Sequence, residues 1–133
     1  MSESILHLSM KTTVASELTK EGYEVIEEPL WPPTRFVSWN AYRPDLIGLL
    51  DRDGADEYAL VECETNPTMR RLLSKNIWRV EMQSKIDRDS RLRRILVVPH
   101  GKLGAVDPNL RRYCEIWIAD GNHLMKIPLC PRC

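Results

Sequence analysis

Two strand-like runs separated by a turn signal constrain the fold of this chain more than any other feature. The runs span residues 45–50 and 57–64, and the segment between them contains D-R-D-G at 51–54. Asp and Gly are typical turn residues, because Gly adopts positive φ at no steric cost and Asp side chains bond to their own backbone. The sequence therefore predicts a β-hairpin built from these two runs.

The second run of the hairpin carries two glutamates on one face. Side chains alternate between the two faces of a strand, so Glu62 and Glu64 share a face with Tyr58 and Leu60. The opposite face carries Ala59, Val61 and Cys63. Like charges on a half-buried face repel each other, so this arrangement needs something that neutralises them.

A third carboxylate, Asp45, begins the first run directly after Pro44. Asp45 could approach Glu62 and Glu64 through splaying or twist of the two strands. Three converging carboxylates suit Mg²⁺ or Mn²⁺, which activate water and stabilise charge on a phosphodiester. The alternative is that the glutamates line the solvent face of an edge strand and Asp45 is a turn residue.

These residues also carry a family resemblance. The segments R-P-D-L-I-G (43–48) and L-V-E-C-E (60–64) resemble the signature of the PD-(D/E)xK nuclease superfamily, which includes restriction endonucleases and archaeal Holliday junction resolvases. Pro44-Asp45 matches the first half of the signature, and Glu62 matches the acidic residue of the second half. Glu64 stands where the family usually has lysine, although a minority of restriction enzymes carry Glu there.

The resemblance covers roughly residues 5–98 and implies both a fold and an activity. The implied α/β fold has a restriction endonuclease-like αβββαβ core, with a mixed central sheet flanked by helices, here followed by a C-terminal αββ extension. The implied activity is a metal-dependent DNA endonuclease with Asp45, Glu62 and Glu64 as metal ligands and catalytic residues. Because superfamily members that cut both strands are usually dimers, a homodimer is expected.

The remaining segments fit this order of elements. A helix is predicted over residues 4–21, with Ser2 or Ser4 as its cap, Gly22 as its stop and an apolar stripe. The stripe is formed by Ile5, Leu8, Ala15 and Leu18, with Val14 beside it. Further elements are a strand at 23–27, a helix at 67–86, a strand at 95–98, a short helix at 107–113 and strands at 115–119 and 123–129.

Two basic segments are candidate nucleic-acid contacts. Arg35 and Arg43 lie in or beside the aromatic segment 29–42, and such side chains stack on bases and pair with phosphate. Arg71, Lys75 and Arg79 recur at four-residue spacing on the predicted helix 67–86, which makes a basic stripe. Under the resemblance, Lys75 could also supply the missing motif lysine. The alternatives are a loop that covers the core and a solvated helix face.

Composition predicts one soluble domain over residues 1–133. Lys+Arg and Asp+Glu are both 19, so a net charge of +0 gives no support for nucleic-acid binding. This balance favours the alternative function, a catalytically inactive nuclease-fold module for DNA binding or assembly. No apolar run is long enough to span a membrane, and no signal-peptide core begins the chain, so an intracellular, cytoplasmic location is expected.

Three smaller features have competing interpretations. Cys130 and Cys133 form a C-x-x-C pair that Cys114 and His123 could complete as a zinc site, or the pair is a frayed tail. Glu17 could be the acidic residue that the superfamily often carries on its first helix, or a solvated helix residue. His100 could be a general base, or an ordinary turn residue.

Overall fold

A computed structural model describes residues 4–27, 45–67, 91–112 and 114–130. Within these ranges the chain forms one α-helix, six strands and two 3-10 helices. The α-helix is α1 (Ile5–Lys20), and the strands are β1 (Glu24–Glu27), β2 (Leu46–Arg52), β3 (Ala55–Cys63), β4 (Arg91–Pro99), β5 (Glu115–Asp120) and β6 (His123–Ile127). The 3-10 helices are η1 (His100–Ala105) and η2 (Pro108–Arg112).

The six strands form one mixed sheet in the order β1-β2-β3-β4-β5-β6. The β3–β4 and β4–β5 pairs are parallel, and the other neighbouring pairs are antiparallel. Helix α1 covers one face, on which it packs against Ala59, Val61, Val97 and Trp117. Leu110 of η2 packs on the opposite face, in a cluster with Leu96, Val98, Ile116 and Ile118. This arrangement confirms the predicted α/β fold with a mixed central sheet.

Helix α1 begins and ends where the sequence predicts. The Ser4 hydroxyl accepts a hydrogen bond from the His7 backbone N–H at 3.0 Å, and Gly22 has a φ of 100° just past the C-cap. The predicted apolar stripe is wrong at its N-terminal end, because Ile5 is 89% exposed and Leu8 is 49% exposed. Met10 and Lys11 are buried instead, so the face that meets the sheet includes a lysine.

The predicted hairpin is present and its turn is tighter than expected. Strands β2 and β3 pair from Leu46↔Val61 to Arg52↔Ala55, which leaves a two-residue turn of Asp53 and Gly54. Both turn residues have positive φ, 56° and 82°, as the common two-residue hairpin turns require. Because β3 lies between β2 and β4, it is a central strand of the sheet. The edge-strand interpretation of the glutamates is therefore wrong.

Two later elements differ from the predictions. Strand β4 begins at Arg91, four residues before the predicted start, because its charged N-terminal half pairs in parallel with β3 from Glu57 onward. Arg93 in this half binds both carboxylate oxygens of Glu115 at 2.8 Å, which raises the pKa of its guanidinium. The predicted short α-helix at 107–113 is the 3-10 helix Pro108–Arg112.

Several predicted features lie outside the described residues. One is the aromatic segment 29–42. The other is the predicted helix at 67–86, of which only the first residue, Pro67, is described. In the ranges that are described, no helix is long and apolar enough to cross a membrane.

Gly48 of β2 gives a stability prediction. A Cβ at this position would lie 2.9 Å from Cδ1 of Tyr23, whose ring is buried at the end of α1. We expect Gly48→Ala to lower the free energy of unfolding by about 1–3 kcal/mol, because the ring has to move out of a packed position. Chemical denaturation measures this loss. Gly101→Ala is the control, since nothing lies within 4 Å of its added Cβ.

Candidate active site

The carboxylate of Asp45 is held at the end of β3. Its Oδ2 accepts a hydrogen bond from the backbone N–H of Cys63 at 2.7 Å, and its own backbone N–H donates to the Val61 carbonyl at 3.0 Å. Pairing of β2 with β3 stops at Leu46, so the side chain of Asp45 replaces a strand backbone as the partner of Cys63. The hairpin register therefore brings Asp45 to this end without any splaying of the strands.

Helix α1 reaches the same point through His7. The His7 Nε2 atom lies 3.0 Å from the carbonyl oxygen of Cys63 and 3.4 Å from Oδ2 of Asp45. A carbonyl oxygen can only accept a hydrogen bond, so Nε2 carries the hydrogen in this arrangement. Both side chains are mostly buried, with 19% of His7 and 14% of Asp45 exposed. His7 thus ties the first helix to the start of β2 and the end of β3.

The two glutamates flank Cys63 and are buried. Glu62 is 4% exposed and Glu64 is 2% exposed. Glu62 pairs with Leu96 of β4, while the backbone N–H of Glu64 continues the same ladder by donating to the Val97 carbonyl at 2.9 Å. Oε1 of Glu64 accepts a hydrogen bond from the Asn66 backbone N–H at 3.3 Å. The hairpin therefore places three carboxylate-bearing residues at one end of the sheet.

A lysine of α1 is also buried. Lys11 is 2% exposed, and among the described residues it joins Glu62 and Glu64 as the buried charged side chains. It follows His7 by four residues, so the two lie on one face of α1. The sequence analysis missed both residues. The signal was their helical spacing with the buried Val14 and Leu18, which a search for apolar residues passes over because His7 and Lys11 are polar.

The three carboxylates are ligands of the chemical type that Mg²⁺ prefers, but their arrangement in the structure is not that of a metal site. Carboxylate oxygens are the ligands that this ion prefers, and Asp45, Glu62 and Glu64 lie at the same end of the sheet. Within the described ranges, however, no three His, Cys, Asp or Glu side chains are gathered closely enough to hold a metal ion. Convergence of the three carboxylates on one ion stays a prediction.

The structure describes some of the other candidate residues from the sequence analysis. The Oε2 atom of Glu17 lies 3.2 Å from Nζ of Lys126, a surface ion pair that agrees with the interpretation of Glu17 as an ordinary helix residue. His100 is exposed at the start of η1. The predicted DNA-contact and lysine-replacement residues lie outside the described part of the chain: Arg35, Arg43, Arg71, Lys75 and Arg79.

The zinc interpretation stays a prediction, because Cys133 lies outside the described residues. Cys114 is buried, its thiol lies 3.5 Å from the Leu110 carbonyl, and burial raises the pKa of the thiol to about 12. Cys130 is disulfide-bonded.

Comparison with known proteins finds the same fold in solved structures. The following two are among them. One is an XisH family protein from Nostoc punctiforme PCC 73102, with a TM-score of 0.51, 13% identity and coverage of 88% of this chain and 96% of that chain. The other is an fdxN element excision controlling factor protein from Anabaena variabilis, with a TM-score of 0.52, 15% identity and coverage of 90% and 98%. No protein-family model and no curated protein matches the sequence.

At these identities the likeness shows the fold. It spans 88–90% of this chain and nearly the whole of each neighbour, so the shared fold extends over most of both chains. The expected α/β fold, with a mixed central sheet and the first helix on one face, is thereby confirmed. The PD-(D/E)xK signature itself rests on the residues of this chain.

Proposed function

We propose that this protein is a metal-dependent DNA endonuclease whose active site is the acidic end of the β2–β3 hairpin. The observation that carries the proposal is the 2.7 Å hydrogen bond from the Cys63 backbone N–H to Oδ2 of Asp45. Because Cys63 is flanked by Glu62 and Glu64, this bond fixes the start of β2 beside both glutamates. The restriction endonuclease-like fold supports the proposal, since the PD-(D/E)xK signature falls on these same strands.

The burial of the three carboxylates supports a bound cation at this end of the sheet. Carboxylates taken out of water lose solvation, and neighbouring negative charges repel more strongly in a medium of low dielectric constant. Glu62 and Glu64 are almost wholly buried, and Asp45 is largely so. A divalent cation held by Asp45, Glu62 and Glu64 would offset this charge.

The proposed chemistry divides between the ion and the chain. When bound, Mg²⁺ or Mn²⁺ supplies an acidified water and offsets the negative charge that develops on the leaving oxygen. The chain's contribution is orientation, because Asp45 is held from two sides by the Cys63 N–H and the His7 imidazole. Glu64 is proposed as a further ligand or as the base that takes a proton from water.

DNA is proposed as the substrate on two grounds. One neighbour is named as an excision controlling factor of the fdxN element, and excision of an element is an event on DNA. The predicted stripe of Arg71, Lys75 and Arg79 adds cationic groups in the segment that directly follows β3. A homodimer would let two such sites act on both strands.

The basic stripe gives a separate prediction about binding. We expect the triple variant Arg71→Ala, Lys75→Ala and Arg79→Ala to flatten the log–log salt dependence of DNA binding by about one unit for each charge removed. Fluorescence anisotropy across a salt series measures the slope. Lys20→Ala is the control, since Lys20 is an exposed lysine of α1. An unchanged slope in the triple variant would leave the stripe as a solvated helix face.

A second candidate function is a DNA-binding or assembly module without catalysis. Glu64 in place of the family's lysine favours it, as does the lack, among the described residues, of three side chains gathered for a metal. The test incubates the purified protein with labelled duplex, branched and single-stranded DNA, with and without Mg²⁺ or Mn²⁺. Metal-dependent cleavage of any substrate supports the endonuclease, whereas binding without cleavage under either metal supports the module.

A further inference from the structure

Two of the six glycines of the chain have no structural reason within the fold. The other four either have a positive φ or face a packed ring: Gly22, Gly54 and Gly121, and, against Tyr23, Gly48. The remaining two, Gly101 and Gly104, both lie in η1. Neither has a positive φ, and nothing lies within 4 Å of a Cβ added at either position. Local backbone geometry and packing therefore do not explain why these two residues are glycines.

Glycine has a conformational cost that makes its presence in η1 informative. Its backbone loses more freedom on folding than that of any other residue, so helix interiors disfavour it. Another common use of glycine, besides turns and tight packing, is a close approach of the protein backbone to a ligand. Every residue of η1 is exposed, so its backbone is open to a ligand from outside.

The 3-10 helix η1 lies at the same end of the sheet as the candidate active site. It begins at His100, directly after Pro99 ends β4, and β4 runs parallel to β3. Glu62 of β3 pairs with Leu96, which packs with Leu110 of η2 on the face opposite α1. Paired neighbours on adjacent strands share a face, so Glu62 lies there too. Thus η1 and η2 carry the chain from the end of β4 onto the face of the glutamates.

The side chains of η1 suit the phosphate backbone of a nucleic acid. Lys102 is exposed, and η1 contains no acidic residue. His100, also exposed, adds an imidazole N–H donor. Lysine binds phosphate as a point charge, and phosphate contacts fix the position of DNA on a protein. A cationic contact is needed beside a group of carboxylates, because these repel the negatively charged strand.

We propose that η1 is a DNA-backbone contact beside the candidate active site. Lys102 binds a phosphate, and the missing side chains at Gly101 and Gly104 let the DNA strand come close to the protein backbone. This surface is distinct from the carboxylates and from the basic stripe of the predicted helix 67–86. The inference rests on the proposed endonuclease function for the choice of DNA as the ligand.

The first test adds methyl groups that the folded protein can accommodate. In the double variant Gly101→Ala and Gly104→Ala the melting temperature should equal or exceed the wild-type value, because neither new Cβ meets another group. DNA affinity should fall roughly fivefold or more, because the methyl groups intrude between η1 and the strand. Fluorescence anisotropy on a labelled DNA duplex, in EDTA and in Ca²⁺, measures this affinity without Mg²⁺ or Mn²⁺. Equal affinity of the two proteins would overturn the close approach.

Two charge variants test the phosphate contact. Lys102→Ala should reduce the log–log salt slope of DNA binding by about one unit. Gly104→Glu places a carboxylate against the phosphates and should weaken binding roughly tenfold at low salt. The controls are Lys20→Ala and Ser16→Glu, which make the same charge changes at exposed positions of α1. Variants of η1 that bind DNA as their controls do would overturn the assignment.

The same measurements separate this contact from the proposed endonuclease function. DNA binding that depends on η1, in a wild type that cleaves no DNA with Mg²⁺ or Mn²⁺, supports the contact and overturns the endonuclease. Metal-dependent cleavage, together with binding that the η1 variants leave unchanged, overturns the contact and leaves the endonuclease in place. A wild type that neither binds nor cleaves DNA overturns both.

Discussion

Asp45→Asn is expected to lower the rate of metal-dependent DNA cleavage by roughly 100-fold or more. The substitution removes a negative charge from the acidic end of the hairpin and so weakens the hold on a divalent cation. An amide oxygen can still accept the hydrogen bonds that Asp45 receives from the Cys63 N–H and His7. The fold should therefore persist, and single-turnover cleavage under saturating Mg²⁺ measures the chemical loss alone.

Two further variants bracket this result. Asp51→Asn makes the same chemical change at an exposed aspartate of β2, and its cleavage rate should equal that of the wild type. Asp45→Ala also removes the acceptor of the buried Cys63 N–H, so it should lose cleavage and about 1–3 kcal/mol of stability. A cleavage rate for Asp45→Asn within a few-fold of the wild-type rate would contradict the role given to Asp45.

Glu64→Ala is the second large expected effect. If Glu64 is a ligand or a base, its removal should lower cleavage by at least about 100-fold, because one metal contact or the proton acceptor is lost. If the site is degenerate, the wild type shows no cleavage, and Glu64→Ala relieves repulsion with Glu62 by a few tenths to ~1 kcal/mol. Cleavage and thermal unfolding of the two proteins, compared side by side, distinguish these cases.

Glu64→Lys sharpens the same question. It restores the residue that the resembled superfamily usually carries, but it also places an ammonium at a position whose present side chain is only 2% exposed. We expect it to be less stable than Glu64→Ala for that reason. It should retain cleavage only if Asp45 and Glu62 hold the metal by themselves. Glu24→Ala, at an exposed glutamate of β1, is the control for both variants. Full cleavage by Glu64→Ala would remove Glu64 from the mechanism.

Local signals were sufficient for the parts of the fold that short segments determine. Ser4 and Gly22 mark the ends of α1 because capping needs a hydroxyl and a positive φ at fixed positions. Asp53-Gly54 sets the hairpin for a similar reason, and its two-residue turn fixes the register that carries Asp45 to Cys63. These features depend on residues close in sequence, which a single sequence displays.

The features that the sequence analysis missed depend on contacts between distant segments. His7 contacts Asp45 and Cys63, which are 38 and 56 residues away in the chain, and no local sequence pattern predicts those contacts. Lys11 was passed over because a lysine on a helix is ordinarily solvated, and only the packing of α1 on the sheet shows its burial. The early start of β4 at Arg91 likewise depends on its pairing with β3.

The most direct test of the central claim is a calorimetric titration of Mn²⁺ into the wild-type protein, because it needs no knowledge of the substrate. Mn²⁺ stands in for Mg²⁺ at oxygen-donor sites and binds them more tightly. The wild type should bind the ion, and Asp45→Asn and Glu62→Gln should each weaken binding by roughly tenfold or more, while Asp51→Asn leaves it unchanged. Absence of Mn²⁺ binding in the wild type, or equal affinity in all four proteins, would contradict a metal site at the end of this hairpin.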